Sequence, residues 1–360
     1  MSESPSQSQP NACPPQLPRP IFVGSDSPTG EECDVIVIGL CDDAPLSASA
    51  AALDAALGGV ISALIDRGKI STGAGDTMLI PGPGASSGAG GAALALLMGL
   101  GDQGELDRES AFELSSTAIR SLSKTPNAKI VIALAEMFAA ADHDAIVAGA
   151  LFALEGQSIY RTTSPIHVPE RIAVAATNSA AIQRGTILGD SINQARRLVN
   201  EPASVIYPAS FANRASDLAN QVGLGCEVWD EHRLAEENCR AILAVGAGSE
   251  KPPRLVILRH DGGPSGEPPI AIVGKGVTFD SGGLSIKPSE GMVDMKCDMG
   301  GAATVIGTMH AIAKLAVKKN VIGFCGLAEN MVSGSSYKLG DVIETRSGKT
   351  IEILNTDAEG

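Results

Sequence analysis

Residues 270–283 read IAIVGKGVTFDSGG, and this stretch decides the fold class. The apolar, β-branched run at 270–273 predicts a buried strand, and it empties into a glycine-rich loop carrying Lys275 and Asp280. Residues 285–287 (SIK) follow with Lys287. Residues 294–303 (DMKCDMGGAA) then set Asp298 ahead of a small-residue helix start, where a second element can approach closely. Residues 355–359 (NTDAE) bring Asp357 and Glu359, two apart in a segment read as extended. Each segment places acids or lysines beside glycines at a strand end or helix start. Ligands in open α/β sheets gather outside the carboxyl ends of strands, so an α/β fold with a site there is expected.

Outward from this stretch the alternation continues. In the second half, helices are expected over 208–221 and 302–316, and strands at 241–245, 255–258, 321–327 and 351–354. In the first half, strands are expected at 34–39 (DVIVIG) and 129–134, with further short apolar segments at 77–81 and 93–100. Helices are expected over 47–66, 110–122 and 144–154, with Leu53, Leu57, Ile61 and Leu64 at helical spacing in the first. Residues 81–91 (PGPGASSGAGG) read as a mobile loop. The domain reading is a flexible tail at 1–20, an N-terminal α/β domain at 21–170, a mostly helical connection at 171–199 and a catalytic α/β domain at 200–360. Asn200-Glu201-Pro202 ends the connection, because the residue before proline is pushed out of the helical region. No internal repeat is visible. The chain stops in a polar turn just past a strand, so a fragment is expected.

At 360 residues the chain has room for two domains with proper cores. Its 44% hydrophobic and 19% charged composition excludes wholesale disorder. A formal net charge of −14 argues against a dedicated nucleic-acid or anionic-membrane binder. No apolar run reaches membrane-span length, and the Ser/Pro-rich start has neither the basic nor the apolar region of a secretory signal. The seven cysteines are odd in number, scattered and without a CxxC pair, which reads as reduced thiols in a cytoplasmic protein.

If Asp280, Asp298, Asp357 and Glu359 met, four charges within a few ångströms could not all stay ionised without cations. Two divalent ions cancel them, and oxygen ligands suit Mg, Mn or Zn. Beside two dications Lys275 would lose its proton readily and serve as a neutral amine ligand. Paired metals fit hydrolysis, one activating water and the other polarising the bond attacked. Lys287, kept protonated, would stabilise the oxyanion. Any one of these acids alone is more simply a turn residue or a helix cap, and Lys275 alone a solvated lysine. Five separated segments sharing one local grammar favour a site. Residues 84–88 match GxSxG, but in a Pro/Gly loop with no Asp or His partner nearby. The five histidines are isolated and no HExxH is present.

These segments closely resemble the leucyl (cytosol) aminopeptidase family of two-metal peptidases. The matching residues are 273–283 (VGKGVTFDSGG), 285–287, 298–303 (DMGGAA) and 355–360 (NTDAEG), with 195–202 (ARRLVNEP) and 338–341 (KLGD) also fitting. The resemblance runs from about residue 30 to the end, strong after 195 and looser before. It implies a smaller N-terminal α/β domain and a C-terminal α/β catalytic domain with a central mixed sheet flanked by helices. It implies one metal on Lys275, Asp280, Asp298 and Glu359, a second on Asp280, Asp357 and Glu359, and Lys287 as the catalytic lysine. It further implies two divalent ions (Mn or Zn, with Mg as a third choice), release of leucine and similar N-terminal residues from peptides, and homohexamers. Some bacterial relatives bind DNA, which the −14 charge disfavours here.

One departure stands out. In the family an arginine directly follows NTDAEG and is thought to position a bicarbonate; here Gly360 is last. Poor folding and little activity are therefore expected of the 360-residue polypeptide, with activity, and any bicarbonate, belonging to a longer parent. A non-catalytic truncated paralogue acting in assembly or binding is the alternative, opposed by retention of all six residues. A two-metal phosphoesterase is weaker, because such sites usually include histidine ligands.

Overall fold

The computed structural model describes residues 18–359 except 43, 86–89 and 158. The described chain divides into two compact units, one running to Asp190 and the other starting at Ser191. The tail expected over 1–20 lies almost wholly outside the described residues, as does the centre of the 81–91 loop with Ser86.

In chain order the first unit comprises β1 (Ile21–Ser25), β2 (Cys33–Cys41), α1 (Ala48–Ala56), α2 (Val60–Asp66), β3 (Thr77–Pro81), β4 (Ala92–Gly101), α3 (Arg108–Leu122), β5 (Lys129–Ile132), α4 (His143–Ala153) and β6 (Arg171–Ala175). The unit boundary falls within α5 (Ser179–Asn200). Its six-stranded sheet has the order β1-β6-β5-β2-β4-β3, parallel except for the β3–β4 pair. Both faces are covered, which is why β2 reads as an unbroken apolar run. Val35 and Val37 pack with α3 and α4, while Ile36 and Ile38 pack on the other face with Leu53 and Ile61.

Two expectations fail here for local reasons. The single helix expected over 47–66 is two helices bent by 104°, because Gly58 and Gly59 take positive φ. The Asp54 carboxylate then caps the second helix, accepting from the Ile61 and Ser62 amides. The mostly helical connection at 171–199 opens with a strand: β6 pairs with both β1 and β5 and belongs to the first sheet. Alanines at 173 and 175 make it resemble the helix that follows.

The second unit continues with α6 (Pro208–Val222), β7 (Gly225–Trp229), α7 (Glu231–Glu236), α8 (Arg240–Gly246), β8 (Arg254–Asp261), β9 (Ile270–Asp280), α9 (Ser289–Met292), α10 (Gly300–Lys314), β10 (Asn320–Asn330), β11 (Val342–Glu344) and β12 (Thr350–Glu352). Its main sheet is mixed, order β7-β8-β10-β9, with only β10–β9 parallel; β11 and β12 form a separate antiparallel hairpin. The strand expected at 241–245 is helix α8. A short apolar run fits either state, and packing decides it, with Ile242 reaching Gly326 of β10. The core joins Phe211 and Leu218 of α6, Val256 and Leu258 of β8, Met309 and Ile306 of α10, and Cys325 and Leu327 of β10. Burying a side chain such as Phe211 contributes about 1.5–3 kcal/mol.

The small-residue helix start does what its composition predicts. A Cβ on Gly274 would lie 2.4 Å from the Gly301 carbonyl oxygen, and one on Gly301 2.9 Å from the Lys275 nitrogen. Only glycines let α10 press its first turn onto β9, and the Val277 amide donates to the Asp298 carbonyl at 3.2 Å across that seam.

Candidate metal centre

Lys275 and Asp280 both ride on β9, at positions where its parallel pairing with β10 is continuous and then broken. Lys275 pairs with Gly326, but the register shifts after Ala328, so that Asn330 faces Asp280. Such a bulge re-aims side chains at a sheet end. Beyond Asp280 the chain turns through Gly282 and Gly283, both at positive φ, and returns Lys287 to the strand end with its amide on the Ser281 carbonyl at 2.9 Å. Asp298 arrives at the start of α10. Asp357 and Glu359 arrive from the loop after β12, as a turn at Thr356–Asp357 instead of the extended segment expected.

All six residues singled out in the sequence meet, and two lysines organise them. The Lys275 Nζ lies 2.7 Å from Asp298 Oδ2 and 2.8 Å from Glu359 Oε1. The Lys287 Nζ lies 3.0 Å from Asp280 Oδ2 and also pairs with Asp357. One carboxylate oxygen from each of Asp280, Asp357 and Glu359 lies within 4.8 Å of the others, so these three could share a cation. Asp298 stands outside that trio and reaches it through Lys275.

The electrostatics follow from burial and charge. Burial pushes the Asp280 carboxyl up, but Lys287, the Gly282 amide and Asn330 together hold it below the usual range. Asp298 is pushed up, by burial first and then by its like-charged neighbours Asp280 and Glu359, with Lys275 opposing. Desolvation lowers both lysines, yet the carboxylates outweigh it and raise them. Tyr337 is pushed up to about 12 by burial and then by the three nearby carboxylates.

Glu359 tests whether cations fit. Its side chain is 2% exposed; Oε1 faces the Lys275 ammonium at 2.8 Å, and Oε2 has no hydrogen-bond partner among the described residues. Asp298 Oδ2 faces the same ammonium at 2.7 Å. A buried, unpartnered carboxylate oxygen is costly unless something positive fills its lone pairs. Four carboxylates with one amine form a hard-donor set suited to Mn, Mg or Zn. The donors fit a pair of divalent ions.

The sequence reading missed the uncharged braces. Thr356 Oγ1 donates to the Gly282 carbonyl at 2.7 Å and accepts from the Ser285 amide at 2.8 Å. Tyr337 Oη and Asn330 Nδ2 both donate to the Thr356 carbonyl, at 2.8 and 2.9 Å. Thr356 lies inside a quoted motif and could have been flagged; Asn330, at the tip of an ordinary strand, gave no signal. The KLGD segment closes a turn through the Lys338 amide and Asp341, and it grips residue 353 through Gly340 and Asp341.

Fold and site define an α/β protein with a lysine-bridged carboxylate cluster at the ends of its mixed sheet. The model of the cytosol aminopeptidase family catalytic domain matches residues 193–360, and that of the family's N-terminal domain matches 37–164. A probable cytosol aminopeptidase of Rhodopirellula baltica is 62% identical over 265 residues, 74% of this chain and 52% of that protein. Another, of Ralstonia pickettii, is 37% identical over 346 residues, 91% of this chain and 68% of the relative. Among solved structures, the bottromycin maturation enzyme BotP in complex with Mn is similar at 33% identity and TM-score 0.75, over 91% of this chain and 66% of that one. A mutant tomato leucine aminopeptidase is similar at 26% identity and TM-score 0.80, over 96% and 70%. The chain belongs to the cytosol aminopeptidase family. It spans about half the length of the first two curated relatives it matches, and about two thirds of others. Among the described residues no single helix is long and apolar enough to cross a membrane; the bent pair α1–α2 passes by length and composition together, and lays Leu53 and Ile61 into the core.

Proposed function

We propose that this chain carries the two-metal centre of an aminopeptidase that releases leucine and similar N-terminal residues from peptides. The observation that carries the reading is the buried Glu359 carboxylate, whose Oε2 has no partner among the described residues, inside a cluster that also holds Asp280 and Asp357. Asp280, Asp357 and Glu359 would hold one ion, and Asp280, Asp298, Glu359 and the Lys275 amine the other. Bound divalent ions would supply Lewis-acid polarisation of the scissile carbonyl and a readily ionised water. Lys287 lies between Asp280 and Asp357, and kept protonated its ammonium would be placed to donate to the oxyanion as it develops. Mn is the ion of choice, by analogy with the BotP complex. We place the protein in the cytoplasm, as a homohexamer, on the strength of family membership.

The test is titration of the chelator-treated chain with Mn²⁺ by calorimetry, with leucine p-nitroanilide turnover measured in parallel. Two equivalents bound, lost in Glu359→Gln, together with Mn-dependent turnover that is weak in these 360 residues, are expected. Absence of Mn²⁺ binding would sink the metal centre. Binding without amide hydrolysis would leave a binding protein, and cleavage of a phosphate monoester alone would make it a phosphoesterase.

A further inference from the structure

One buried polar side chain at the centre carries no charge. Asn330 is fully buried, and its two amide hydrogens are both spent. One goes to Asp280 Oδ1 at 2.9 Å, the other to the Thr356 carbonyl at 2.9 Å. Its own oxygen has no hydrogen-bond partner among the described residues and rests against Gly283, where a Cβ would approach it to 2.9 Å. The amide's orientation follows from the network, since reversing it would point an oxygen at two acceptors. Asn330 thereby ties together two segments distant in sequence: the end of β9, which bears Asp280, and the turn that bears Asp357 and leads to Glu359.

We propose that Asn330 is a positioning residue of the metal centre, setting the gap between the Asp280 carboxylate and the Asp357–Glu359 loop. The inference rests on the two-metal reading above. With Oδ1 of Asp280 pinned by Asn330 and by the Gly282 amide at 2.9 Å, Oδ2 is left facing the cluster. Pinning Thr356 fixes the residue next to Asp357. Contacts of this kind orient ligands and commonly shift metal affinity or activity by about 10–100-fold. No other residue type supplies the same fork. Aspartate is an acceptor where two donors are needed, glutamine is a methylene too long for a fully buried slot, and serine has one donor. The extra residue that β9 carries between Val277 and Asp280 serves this contact, because without the shift Asn330 would not face Asp280.

The experiment is Mn²⁺ titration of chelator-treated Asn330→Asp and Asn330→Ala at a temperature where circular dichroism shows them folded. Thr278→Val is the control: Thr278 is comparably buried and braces β9 to the Ala328 carbonyl at 3.2 Å. The expected result is Mn²⁺ affinity weakened by at least about tenfold in both Asn330 variants and unchanged in Thr278→Val, although all three melt earlier. Equal affinity in folded Asn330 variants and the unmodified chain overturns the inference, and so does equal weakening in the control. Should the Asn330 variants fail to fold, Tyr337→Phe decides. It removes the other donor to the Thr356 carbonyl and should weaken Mn²⁺ binding about threefold; no change counts against the proposal. If the unmodified chain binds no Mn²⁺, the two-metal reading itself has failed, and that outcome is distinct from the others.

Discussion

Asp144 in the first unit and Glu359 in the second are both almost fully buried carboxylates, and their partners make opposite use of them. Asp144, 1% exposed, gives one oxygen to Arg108 at 2.5 Å and the other to Arg184 at 2.6 Å. Glu359 shares one lysine with Asp298, at 2.8 Å from Oε1, and its Oε2 has no hydrogen-bond partner among the described residues. Arginine is a rigid, permanently charged fork that satisfies a carboxylate and closes it to other ligands. Lysine is a point charge that can yield its proton or its place. Glu201 repeats the first pattern inside the second unit, held by Arg214 at 2.6 and 3.0 Å. The acids with arginine partners are structural ties, whereas Glu359, shared with a lysine, lies among two further carboxylates within 4.8 Å.

That contrast can be broken most forcefully in the first unit. Replacing Arg108 and Arg184 together by Leu strands the Asp144 charge, and chemical denaturation should show a loss of about 3–5 kcal/mol. An unchanged midpoint would mean that the arginines contribute nothing.

The second unit should answer in chemistry, not stability. Lys287→Ala should lower kcat for leucine p-nitroanilide about 10²–10³-fold, the scale of a lost oxyanion donor, with the metal content intact. Loss of metal instead would reassign Lys287 as a ligand.

Acid separates the two kinds of carboxylate more gently. Burial pushes Asp144 up, but Arg108 and Arg184 more than reverse this and hold it below its usual value. Its folded value is lower than the unfolded one of about 3.9, so the folded state binds fewer protons. The stabilisation is complete above that pH and is lost as pH falls through the folded value. Acid unfolding followed by circular dichroism should therefore move to higher pH in Arg184→Leu. A coincident acid transition would remove Asp144 from the account.

The smallest effect belongs to the hairpin feeding the centre. Trp229, the chain's one tryptophan, lies under Arg233 at 5.4 Å and under Arg346, between β11 and β12, at 5.9 Å. Arg346→Ala should cost about 0.5–1 kcal/mol and shift Trp229 emission to the red. Unchanged emission would show that the hairpin is held elsewhere.

How much was legible depended on whether the signal was local. The strands 34–39 and 321–327 and the helices 110–122 and 208–221 could be read because apolar runs and helical spacing are written in consecutive residues. The 241–245 run and β6 were misread, because five apolar residues suit a strand or a buried helix until neighbours choose. The edge strands β1 and β7 gave no reading at all.

The sequence by itself determined which residues gather in the cluster. Lys275, Asp280, Lys287, Asp298, Asp357 and Glu359 stand out because separated segments repeat one pattern, acids and lysines beside glycines at strand ends and helix starts. Only the tertiary structure decided how they are shared: Lys275 between Asp298 and Glu359, Lys287 between Asp280 and Asp357, with Asn330 and Thr356 locking the loops. The reason is physical. Charge and chain flexibility are properties of single residues, whereas the alignment of a hydrogen bond depends on atoms that only packing brings within reach.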